Sequence, residues 1–149
     1  MIAAETKFAG PVAAVRTVVA DDSVKATLAA TWTNVPGMST VVTIPSGGQR
    51  LLIITFSAES MCYENSASPS VFCYARVLVD GVSQAPFAVV WAHAVGNTAG
   101  IAFESHSMQW VAGPVGAGQH TVQVQYLVDE ASSEFRLSNR TLTVLLASV

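Results

Sequence analysis

The sequence is short of charge. Only 11% of its 149 residues are Asp, Glu, Lys or Arg, while 51% are apolar; an ordinary soluble domain carries about 25% charged residues. The seven Lys and Arg are scattered singly in a chain of net charge −3. No basic patch is available to neutralise phosphates, so nucleic acid is not an expected partner. Long hydrophobic runs are missing too: no stretch reaches the roughly 18 apolar residues that a spanning helix needs, and membrane insertion is not expected. Met1-Ile2-Ala3-Ala4-Glu5-Thr6-Lys7 has no basic segment followed by a continuous apolar one, because Glu5, Lys7 and Pro11 interrupt it. The chain is therefore expected to be made in the cytoplasm without a Sec-type signal peptide.

Catalytic and metal-binding spacings are equally scarce. The three histidines, His93, His106 and His120, are far apart in sequence, with no His-x-His or His-Glu-x-x-His string to gather them on one metal. No Gly-x-Ser-x-Gly elbow occurs, and the dispersed carboxylates have no spacing that marks an acid and base pair. These absences point to a protein that is not an enzyme and holds no cofactor or metal. There are two cysteines, Cys62 and Cys73, too few for a structural zinc site. They flank a polar loop, so they are either a cross-strand disulfide or two half-buried thiols.

What the sequence does have is alternation with turns between. In Gln119-His120-Thr121-Val122-Gln123-Val124-Gln125-Tyr126-Leu127-Val128, one parity is Val122, Val124, Tyr126 and Val128, and the other is Thr121, Gln123, Gln125 and Leu127. This is a strand with neutral side chains on its second face. Strands are predicted over 12–19, 23–33, 39–44, 50–60, 70–79, 84–94, 100–111, 119–128 and 135–147, separated by Gly, Pro, Asn and Asp. Asp80-Gly81 is the clearest hairpin turn among the separators. A helix over 11–30 is the rival for the first two strands, opposed by β-branched Val12, Val15, Val18 and Val19. The fold class is all-β, an antiparallel β-sandwich of jelly-roll type, with an N-terminal arm over 1–10 and a single domain over 11–149.

Some residues stand out from this pattern. Glu59 ends the apolar strand Leu51-Leu52-Ile53-Ile54-Thr55 and is expected to need a partner if buried, with Arg76 or Arg136 as the mate. His120, after Gly116-Ala117-Gly118, is expected to bond loop backbone. Trp32 and Trp110, each ahead of a turn, are expected to plug the sandwich. Tyr63, Asn65 and Trp91 form the candidate surface for a sugar, since aromatic rings on a rigid sheet stack on sugar rings. Asn139-Arg140-Thr141 matches a glycosylation sequon, which says little in a chain not expected to be exported.

Three stretches carry a resemblance: Thr31-Trp32-Thr33-Asn34-Val35-Pro36-Gly37 with the strands that follow it, Val77-Leu78-Val79-Asp80-Gly81, and Gly118-Gln119-His120-Thr121-Val122. They resemble small jelly-roll modules of the C1q and tumour-necrosis-factor type found in phage and bacterial structural proteins. The resemblance implies a jelly roll that assembles as a trimer. Together with the neutral outward positions, it sets the expectation of a self-associating structural protein at the surface of a virion or other larger particle. Such a protein decorates or caps a phage capsid or forms a tail-fibre tip, with the arm of residues 1–10 docking it. The alternative is a carbohydrate-binding, host-recognition module.

Overall fold

The computed structural model describes residues 14–26, 31–63, 70–95, 102–130 and 133–149, and all of its regular structure is β-strand. The arm over 1–10 and Asn65 lie outside the described residues. In chain order the strands are β1 (Ala14–Ala20), β2 (Val24–Ala26), β3 (Thr33–Ile44), β4 (Arg50–Tyr63) and β5 (Ser70–Val79). They continue with β6 (Val82–Ser83), β7 (Val89–Val95), β8 (Glu104–Val115), β9 (Gly118–Val128) and β10 (Glu134–Ser148). Strands β1 and β2 stand where the helical rival had been placed, as the β-branched residues require.

The strands form two antiparallel sheets. The first has the order β1-β10-β4-β8, with β2 continuing beside β10 where β1 leaves off. The second has the order β3-β9-β5, with β6 and β7 both pairing with β5 along its far edge. From β3 to β5 and again from β7 to β10, each successive strand crosses to the opposite sheet. This double Greek-key winding is the jelly roll. The core is the set of inward parities: Leu52, Ile54 and Phe56 of β4, Leu142 and Val144 of β10, and Val122, Val124 and Tyr126 of β9 are all buried.

Asp80 and Gly81 take φ of 51° and 81°, the two positive angles that a two-residue hairpin turn demands. Two other expected turns turn out to lie inside strands. Asn34-Val35-Pro36-Gly37 is a bulge in β3, where the register with β9 shifts between Asn34 and Ser39. Val35 and Met38, on either side of Pro36-Gly37, are both buried, so the strand continues instead of ending. Gly113-Pro114 likewise belongs to β8, and the chain reverses only after Val115.

A third irregularity shapes the edge of the first sheet. The register between β10 and β4 shifts between Ser138 and Thr141, and Asn139 takes a positive φ of 46°. The bulge faces the corner at which β1 gives way to β2. Arg140 enters that corner fully buried, its Nη1 donating to Asp22 O at 2.6 Å and to Leu137 O at 3.1 Å. Its Nη2 donates to Asp22 Oδ1 at 2.8 Å and Pro36 O at 3.4 Å. One side chain thus ties β10, the β1–β2 corner and the bulge of β3.

Candidate functional site

Each sheet turns one parity outward, and the outer face of the first sheet is uncharged over most of its area. The pairings of β1, β10, β4 and β8 place side chains in rows. One row is apolar: Leu145, Ile53 and Val111. The next is Thr17, Thr143, Thr55 and Gln109, and a third is Val19, Thr141, Ser57 and Ser107. Val111 is 53% and Val19 64% exposed, far more than core positions. Charge gathers toward one end of the face, with Glu59 opposite Ser138 and Ser105 and the Arg136–Glu134 pair farther along β10.

The hydroxyls on this face bond one another. Thr17 Oγ1 and Thr143 Oγ1 are 3.3 Å apart, Ser57 Oγ and Ser107 Oγ are 2.8 Å apart, and Gln109 Nε2 donates to Thr55 Oγ1 at 3.4 Å. A polar group that already has a protein partner loses little when a second surface displaces its water, whereas a lysine or glutamate at these positions would lose its hydration outright. Four strands at about 4.8 Å spacing and three rows at about 7 Å make a patch of roughly 15 by 20 Å. That is about the size of the largest patch on a typical monomer.

The neutral parity of β9, so conspicuous in the sequence, lies on the other sheet and has a partly internal cause. Gln123 turns its Nε2 onto Met38 O at 3.1 Å and Val124 O at 2.8 Å, at the place where the β3 bulge shifts the register. Gln125 Oε1 accepts from Nε and Nη2 of Arg76 at 2.9 and 2.7 Å.

Those bonds correct one expectation. Glu59 pairs with neither Arg76 nor Arg136. Arg76 lies on β5 in the opposite sheet, its guanidinium 4.2 Å above the ring of Trp32, and burial there pulls its pKa below the ordinary arginine value. Arg136 pairs with Glu134 at 2.6 Å, two residues along the same face of β10. Glu59 instead accepts from Asn139 Nδ2 at 2.7 Å and Ser138 Oγ at 3.4 Å, because the β10 bulge swings Asn139 over the end of β4. The asparagine of the sequon match thus has a structural bond.

Of the sugar surface expected at Tyr63, Asn65 and Trp91, Asn65 lies outside the described residues and Trp91 is not at the surface. Trp91 is only 5% exposed and packs on Phe56 with ring centroids 4.9 Å apart, so it belongs to the core. Tyr63 is half-buried at the end of β4. Trp110 does plug the sandwich, its Nε1 donating to Pro86 O at 2.9 Å, but Trp32 sits on the outer face of the second sheet. Cys62 and Cys73 are joined by a disulfide with an S–S distance of 2.15 Å, linking β4 of the first sheet to β5 of the second.

His120 caps a loop. Its Nδ1 lies 2.7 Å from Asp80 Oδ2 and its Nε2 lies 2.9 Å from Gly116 O. Both partners are acceptors, so the ring serves both only as the doubly protonated imidazolium. The bond to Asp80 raises the histidine pKa above its ordinary value, with a smaller rise from Gly116 O that burial opposes. The same bond, aided by the Thr121 amide, lowers that of Asp80. No group of three or more potential metal ligands occurs among the described residues.

The two antiparallel sheets and their winding define a jelly-roll domain. No protein-family model matches the sequence, and no curated protein matches it. Among solved structures, a chain in the structure of infectious bursal disease virus, Gx strain, is similar with a TM-score of 0.51 and 14% identity over 90% of this chain. The present chain spans only 33% of that viral chain. The CBM36-1 domain of a multidomain xylanase from the hindgut metagenome of Trinervitermes trinervoides is similar with a TM-score of 0.40 and 13% identity, over 91% of this chain and 100% of that domain. At these identities the likeness is one of fold alone.

Proposed function

We propose that this chain is a non-enzymatic assembly protein, a jelly roll that packs against copies of itself through the outer face of the first sheet and rides on a larger particle. The observation that supports it most is the uncharged face of Leu145, Ile53 and Val111 with its self-bonded threonine and serine rows. Such a face is poorly hydrated in the monomer and loses little on being covered. The proposed stoichiometry is three, after the likeness of its strand and turn segments to C1q and tumour-necrosis-factor modules. The proposed setting is a virion surface, decorating or capping the shell or the tail, in accord with the occurrence of this fold in a virus structure.

The test places charge in the face. Leu145→Lys and Val111→Glu, both at outward positions, are expected to shift the wild-type oligomer to monomer on size exclusion while each variant keeps its thermal transition. A wild-type chain that already elutes as a monomer, or a double variant that still self-associates, contradicts the proposal.

A further inference from the structure

The outer face of the second sheet differs in kind from that of the first. Asp129, at the end of β9, accepts the Phe72 amide on its Oδ1 at 2.8 Å, and Phe72 pairs across with His93 of β7. The rings of Phe72 and His93 are within 26° of parallel with centroids 6.4 Å apart. Tyr74, next along β5 on the same face, has its ring centroid 6.3 Å from that of Phe72. Beyond it Arg76 covers Trp32 and holds the Gln125 oxygen, and Gln125 Nε2 donates to Asn34 Oδ1 at 2.8 Å.

We infer that this face, with Trp32, Phe72, Tyr74 and His93 as its rings and Asn34 and Asp129 at its rim, binds an uncharged pyranose oligosaccharide. Phe72 is 37% exposed and His93 is exposed, so these two rings are displayed, while Tyr74 is half-buried and Trp32 has one face against Arg76. The C–H face of a pyranose is the complement of such a row, because it covers apolar ring surface without burying the sugar hydroxyls. The hydroxyls then need fixed donors and acceptors beside the rings. Asn34 Nδ2, the Tyr74 hydroxyl and Asp129 Oδ2 have no partner among the described residues, while the oxygens of Asn34 and Asp129 that do have one lock the orientation of those groups.

Charge decides the class of ligand. Arg76 is held by the uncharged Trp32 and Gln125, and its charge is balanced by Asp129, the only acid in the row among the described residues, so these residues offer no net field to an anionic polymer. Rigidity favours the same class: the face rests on paired strands, and the Cys62–Cys73 bond ties β5 to the opposite sheet beside Phe72 and Tyr74, so few side chains need ordering on binding.

The experiment is a screen of the full chain against an array of neutral oligosaccharides, followed by titration of the best binder by calorimetry or ligand-observed NMR. Binding is expected, with Phe72→Ala and Tyr74→Ala each weakening it at least tenfold, Tyr74→Phe weakening it less than Tyr74→Ala, and Ser46→Ala, exposed in the turn after β3, leaving it unchanged. Circular dichroism of each variant separates loss of the site from loss of the fold. Failure of every neutral oligosaccharide at millimolar concentration overturns the inference, as does undiminished binding by folded Phe72→Ala. Loss of self-association in Phe72→Ala without any sugar binding overturns it as well and assigns the face to a second copy of the chain.

Discussion

Arg140 is a cation with almost no access to water, held by the carbonyls of Asp22, Leu137 and Pro36 and by one carboxylate oxygen. Replacing it by leucine fills part of the space but orphans those acceptors. The expected cost is about 2–4 kcal/mol, read as a lower midpoint in urea unfolding. Nothing in the sequence singles this residue out. Arg140 stands in the inward and outward alternation of an ordinary strand, and its inward direction depends on a bulge opposite a corner, two features that period-two patterning does not carry. His120 was more legible, because a histidine after a glycine-rich turn has backbone within reach. Its folded pKa is raised, so its contribution is complete below the ordinary value of 6.5 and fades as pH climbs through the raised one. Asp80, lowered, contributes above 3.8 and loses that contribution as pH falls through its folded value. His120→Gln should therefore cost more stability at pH 5.5 than at pH 9, measured by urea unfolding at both. An equal cost at the two would show that the ring holds the loop without its charge.

At the scale of elements, alternation and turn chemistry located most strands, and β5 over Ser70–Val79 was read to the residue. The errors fall where glycine and proline stand inside a strand. Gly37 and Gly113 look like stops, yet each sits in a bulge that lets its strand twist and go on. Gly113 is required there: its φ is 110°, and a Cβ would meet Val115 N at 2.7 Å and Arg50 O at 2.9 Å, both backbone atoms. Gly113→Ala is expected to cost about 1–3 kcal/mol of stability. Gly116→Ala, with nothing within 4 Å of the added carbon, should change stability by under about 0.5 kcal/mol. Thermal unfolding of the two variants side by side checks the contrast, and equal transitions would contradict the account of β8. The aromatic row was missed for a related reason. Trp32, Phe72, Tyr74 and His93 come from three separate stretches of chain, and only the pairing of β3 with β9, β9 with β5 and β5 with β7 puts them on one face.

For the whole molecule, the shortage of charge was the most useful property of the sequence, but its meaning divides between the two sheets. On the second sheet neutral glutamines serve their own fold, Gln123 filling a bulge and Gln125 orienting an arginine. On the first sheet the threonines, serines and Gln109 bond only to one another across the strands, leaving three adjoining rows without charge. That face carries the proposed assembly, and the mass of the wild-type chain in solution tests it most directly. Sedimentation velocity over a hundredfold range of concentration should show a species near three times the 15.6 kDa protomer, persisting on dilution into the micromolar range. A single 15.6 kDa species at every concentration would contradict self-association through the first sheet.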